Sequence, residues 1–191
     1  MSDHPEHERV SLANVAYLHD ISAGDLEKTV EIESGWDPAA VNIHSGSAGL
    51  IQWTRETAKS LGTSCAEIPL MDFEEQCGLI DRYLQRVPHP IGDDVYMAVA
   101  CPAGIGAEND RVCYPVDPSE KSPWSQNPAW RSTGNGPITA GSIRAYFKNR
   151  SGPAHQTPTK RPGGPKNAPG AGLGFVLLLA LCLFGLRSRR D

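Results

Sequence analysis

Between residues 21 and 150, apolar side chains recur every three or four positions and seldom alternate, so the chain predicts helices with few strands. The first clear stripe is Leu26 and Val30, with Glu27, Lys28 and Glu31 on the polar side. Ser22, three residues before Asp25, marks its start, and the Gly35 region its end. Asp37-Pro38 reads as a second start, an N-cap followed by a first helical residue. Residues 55–62 form a further helix closed by Gly62. Residues 71–87 place Phe73, Cys77, Ile80 and Leu84 at helical spacing. Val95, Ala98 and Val99 belong to a short helix that Pro102 and two glycines stop, and residues 139–150 supply a last amphipathic helix. Upstream, residues 11–21 fit a short helix lying against the domain. The expected architecture is a small, mainly α domain with loop-rich connections.

One position interrupts the pattern. Glu33 shares the face of Leu26 and Val30, where the stripe calls for another apolar residue. Burying a carboxylate costs several kcal/mol unless it is protonated or paired. Desolvation favours the neutral acid and raises its pKa, which is what a general acid working near neutral pH requires. A carboxylate at a helix end can instead curl into solvent, and periodicity alone leaves both readings open.

Composition changes the picture at the ends of the chain. The net charge of −4 hides an asymmetry: residues 1–150 hold 12 Lys and Arg against 21 Asp and Glu, while residues 151–191 hold 6 against 1. So acidic a main part argues against nucleic acid as a partner. Residues 1–20 have acids, histidines and no apolar run of the secretory type, and read as an N-terminal extension whose first residues, His4 and His7 included, are solvated. Residues 151–169 are rich in Pro, Gly and Lys and are expected to form a disordered linker. Residues 170–186 carry no charged side chain, and Arg187, Arg189 and Arg190 follow. A helix of that length rises about 25 Å, a little short of the ~30 Å hydrocarbon core, and snorkelling arginines with local thinning cover the gap. Apolar on every face, it is expected to be a transmembrane helix holding the chain in a lipid bilayer, with a basic tail at residues 187–191.

Five cysteines contain no C-x-x-C pair, so structural zinc has little support. Cys182 reads as a small apolar residue of the span. Cys65, Cys77, Cys101 and Cys113 are compatible with two disulfides or with free thiols.

Around Glu33 the residues form a long composite pattern: Glu33-Ser34, Trp36, Pro38, Ala40, Gly46, Gly49-Leu50, Gln52 and Thr57-Ala58. In that order they resemble the soluble lytic transglycosylase domain of the lysozyme superfamily, and looser similarity to phage-encoded members runs to about Lys148. The resemblance implies a lysozyme-like helical domain of the goose type over residues 21–150. It also implies peptidoglycan glycan strands as substrate, Glu33 as catalytic acid/base, and Ser34 and Gln52 as lining of the sugar cleft. Trp53 either offers a face to a sugar ring or packs in the core. Asp37, the nearest other carboxylate in sequence, reads as a helix cap. No cofactor or metal enters this reading.

Two departures from the family pattern stand out. Its Ala-Tyr-Asn-Ala-Gly motif is replaced by Ala100-Cys101-Pro102-Ala103-Gly104, and Tyr96, one helical turn earlier, is the available substitute for the Tyr. Residues 131–143 have the outline of a calcium loop without its aspartates, so no calcium is expected there.

Glycosidases commonly pair two carboxylates, and no second one is marked here by any motif. The resemblance supplies a route without one: the 6-hydroxyl of N-acetylmuramic acid (MurNAc) attacks its own C1 and closes a 1,6-anhydro ring. A hydrolytic muramidase and a non-catalytic glycan-binding membrane protein are the alternatives. A wall-directed domain without an export signal fits the virion of a phage with an internal membrane, acting in the host periplasm. Host lysis and a bacterial surface protein are the other settings.

Overall fold

The computed structural model describes residues 4–120 and 122–150, and these form a mainly α domain. The longer helices are α1 (Glu6–Leu18), α2 (Ala23–Ser34), α4 (Phe73–Leu84) and α7 (Ala140–Asn149). Shorter ones are α3 (Arg55–Ser60), α5 (Val95–Ala100) and α6 (Pro123–Gln126). Two short strands, β1 (Val112–Tyr114) and β2 (Ile138–Thr139), pair antiparallel through Val112 with Thr139 and Tyr114 with Ile138. The expected linker (151–169), transmembrane helix (170–186) and basic tail (187–191) lie outside the described residues. Among those described, no helix is long and apolar enough to cross a membrane.

Local chemistry accounts for most boundaries. The Ser22 hydroxyl accepts the Asp25 N–H at 3.2 Å to start α2, and Gly35 ends it at φ 62°, a left-handed conformation that suits glycine. Asp72 and Glu75 make a reciprocal capping box on α4. At Asp37 the expectation fails: residues 37–39 make a turn, not a helix. The Asp37 carboxylate accepts the Ala39 N–H at 2.9 Å, so a side chain suited to capping serves an Asx turn instead.

The N-terminal segment also departs from its composition. Within its polar sequence, Leu12, Val15 and Ala16 lie at i, i+3 and i+4, and all three are buried against the domain. Residues 6–18 therefore form the helix expected against the domain, which starts earlier than residue 11. His4 is half-buried, stacked on Trp36 with ring centroids 4.1 Å apart and with Nε2 3.2 Å from Glu31 Oε2.

The core has two halves. One gathers α1, the first part of α2, α3 and α4 around Leu12, Val30, Leu50, Ile80 and Leu84. The other gathers Ile32, Tyr96, Met97, Trp124, Ile138 and Ile143. Helices α2 and α5 belong to both, since Leu26 and Val30 face one half and Ile32 the other, as do Val95 and Ala98 against Tyr96 and Met97. The bidentate pair of Arg144 on Asp94, at 2.7 Å for each bond, ties α7 to the start of α5 and holds the Asp94 carboxyl below its usual range.

The irregular segment between α2 and α3 is pinned by one buried side chain. Gln76 of α4 accepts the Leu50 N–H at 2.9 Å and donates to the carbonyls of Pro38 (2.7 Å) and Ile68 (3.0 Å). Gly49 lies directly on it: at φ 78°, an added Cβ would stand 2.4 Å from Gln76 Oε1 and 2.5 Å from Ile68. The glycine of the Gly-Leu-x-Gln stretch is thus required by a close approach as well as by its backbone.

Candidate active site

Glu33 occupies the last turn of α2, where the helix leaves one half of the core for the other, and it is partly buried. Desolvation pushes its carboxyl from 4.5 up to about 7, against the pull of the neighbouring Tyr96 hydroxyl and the positive charge of Arg150. A carboxyl at 4.5 would be protonated in about 0.3 % of molecules at pH 7, whereas one near 7 is protonated in about half. The carboxyl is therefore available as a proton donor at neutral pH.

Tyr96, on α5, is 3 % exposed and lies in an aromatic nest. It stacks on Phe147 at 5.1 Å, meets Trp130 edge-on at 6.2 Å, and tilts against Tyr146 at 5.9 Å. Burial and the neighbouring Glu33 drive its hydroxyl well above the ordinary phenol range, so it stays protonated and acts as a donor. The Tyr146 hydroxyl adjoins that of Tyr96 and accepts a hydrogen bond from Arg150, whose guanidinium stacks 5.1 Å from the Tyr146 ring. Beyond Tyr146, between α7 and the segment Ala129–Ser132, opens a cavity of about 460 Å³.

The other residues singled out in the sequence are placed differently. Ser34 is 3 % exposed and its hydroxyl donates to the Val30 carbonyl at 3.1 Å, a bond within the helix, so it does not line a cleft. Trp53 is 2 % exposed, packed edge-on against Tyr83 at 5.3 Å, which makes it a core residue and not a sugar platform. Gln52 is half-buried at φ 53°, and its amide donates to the Gly49 carbonyl at 3.0 Å. Of Ser34, Gln52, Trp53 and Tyr96, the side chain brought to Glu33 is Tyr96.

Tyr146, Arg150, Trp130 and Phe147 escaped the sequence reading. Tyr146 lies on the last helix and Arg150, four residues on, at its C-cap, a spacing that pairs them with each other but names no third partner. Only the packing of α7 against α5 brings them to Glu33. Residues 102–104, where the family motif departs, form a 3-10 turn in which a Cβ at Gly104 would approach Met97 Sδ to 2.9 Å and Cys113 Sγ to 3.1 Å. Cys65, Cys77, Cys101 and Cys113 are free thiols, with Cys101 and Cys113 close neighbours. Among the described residues, no group of three or more His, Cys, Asp or Glu gathers to hold a metal ion.

No family model matches the chain, and no curated protein or solved structure shows significant similarity to it.

Proposed function

We propose that the protein is a peptidoglycan-cleaving lytic transglycosylase with a lysozyme-like fold, in which Glu33 is the acid and base. The observation that carries this reading is the partly buried Glu33 carboxyl beside the Tyr96 hydroxyl, pushed up to about 7. Glu33 protonates the glycosidic oxygen between MurNAc and N-acetylglucosamine as the C1–O bond breaks. The carboxylate left behind is held by the Tyr96 hydroxyl and by the charge of Arg150, which lowers the cost of its ionisation at that moment. It then takes the proton of the MurNAc 6-hydroxyl as that oxygen bonds to C1, and the group returns to its starting state.

The side chains that act on the Glu33 carboxyl are Tyr96 and Arg150, and neither is a carboxylate. An internal nucleophile fits such a site, since it is tethered to the reacting carbon and needs no base to hold a water. The reading extends to a membrane-anchored phage virion protein that opens the host wall, with residues 170–186 as the anchor.

A peptidoglycan zymogram of wild type and Glu33→Gln tests it. The amide keeps the shape but has no proton to donate, so the variant should lose clearing while retaining its circular dichroism. A folded variant that still clears the gel would remove Glu33 from the role.

A further inference from the structure

The cavity beside Tyr146 has a marked charge character. Its walls include Arg131 and Arg150 as the charged groups, with Ser132, Ser142 and Asn149 between them and no carboxylate among the lining residues. Arg131 is held in place, its guanidinium 3.7 Å over the Trp124 ring with Nε and Nη2 donating to the Trp124 carbonyl at 3.3 and 3.1 Å. Among the described residues, its Nη1 has no hydrogen-bond partner. Arg150 donates Nη1 to the Tyr146 hydroxyl, and its Nη2 is buried without a partner among the described residues. Two guanidinium groups with no carboxylate between them leave the cavity wall positively charged, which favours an anionic oxygen within it.

We infer that this cavity is a carboxylate-binding subsite that receives the acidic peptide stem of a muropeptide. The inference rests on the peptidoglycan reading for the identity of the ligand, while the anion preference stands on the cavity itself. At about 460 Å³ the space exceeds what a single carboxylate fills and suits a short peptide bearing one. Its position gives the subsite a second effect. Arg150 draws the Glu33 carboxyl downward, and a carboxylate paired with Arg150 cancels part of that charge. A bound stem thereby favours the protonated acid and extends its proton-donating form to higher pH.

The test is calorimetric binding to the full-length protein of a muramyl tripeptide with free carboxylates and of the same compound fully amidated. The carboxylate form should bind roughly tenfold more tightly, as expected for one charge-assisted pair gained. Arg131→Gln should remove the preference. Because Arg131 also supports Trp124, Asn149→Asp provides a second variant: Asn149 is exposed at the end of α7, and a negative charge there should weaken the carboxylate ligand while sparing the amide. Equal binding of the two ligands, or no response to Asn149→Asp, would overturn the subsite. Binding requires no turnover, so the outcomes separate. An anion preference in a protein that does not cut the wall sinks the proposed reaction alone, and wall cleavage without the preference sinks the subsite alone.

Discussion

The Tyr96 hydroxyl stands beside the Glu33 carboxyl, bringing α5 to the last turn of α2 at the meeting of the two halves of the core. The hydroxyl favours the carboxylate, while burial favours the acid and prevails, leaving the group near pH 7. The same hydroxyl is worth most after Glu33 has given up its proton, when its oxygen carries full charge.

Tyr96→Phe follows directly from this balance. Removing the donor leaves burial less opposed, so the Glu33 carboxyl should titrate above about 7 and the alkaline limb of the kcat/KM profile should move upward. The maximum rate should fall, since a hydrogen bond to a charged group is worth about 1.5–3 kcal/mol, or roughly ten- to a hundredfold. A drop in rate with an unmoved alkaline limb would mean that Tyr96 does not act through Glu33.

The raised carboxyl also leaves a mark on stability. The folded state holds the Glu33 proton up to about pH 7, while the unfolded chain releases it near 4.5. The folded state thus binds more protons between those values, and stability is lost as pH rises through that window, by about 3 kcal/mol in all. Glu33→Gln has nothing to ionise. Urea unfolding should find the variant more stable than wild type at pH 8 and equal to it near pH 4. A difference that does not depend on pH would show that Glu33 is not held as a buried acid.

Gly49 and Gln76 should behave as one unit. Gly49→Ala combines a positive φ with a Cβ 2.4 Å from Gln76 Oε1, and should cost about 2 kcal/mol or more. Gln76→Ala frees that space but leaves the Leu50 N–H without its partner. A double-mutant cycle should show coupling of at least about 0.5 kcal/mol, the alanine at 49 being less harmful once Gln76 is gone. Strict additivity would mean that the close approach is not what requires the glycine.

Helical periodicity located α2, α4 and α7 because each carries its apolar stripe on local spacing, and Glu33 stood out against such a stripe. Periodicity could not report what Glu33 meets. Tyr96, Tyr146 and Arg150 come from α5 and α7, more than sixty residues away, and only tertiary packing joins them. At the N-terminus a short helix was legible from residue 11, but the charged residues before it hid its start at Glu6 and the stacking of His4 on Trp36. Ser34 misled because a motif gives residue identity without orientation, and its side chain turns inward; for Trp53 the burial chooses the core of the two readings left open. Asp37 shows the limit of capping signals, since the chemistry that starts a helix also closes a two-residue turn.

Product analysis bears most directly on the claim that Glu33 drives an internal attack with no second carboxylate. Peptidoglycan digested with the full-length protein, with Glu33→Gln as the blank, should release muropeptides that end in 1,6-anhydroMurNAc. These are one water lighter than hydrolysis products by mass spectrometry and unchanged by borohydride. Products ending mainly in reducible MurNAc would contradict the account, because a group not among those acting on Glu33 would then be holding water for attack at C1.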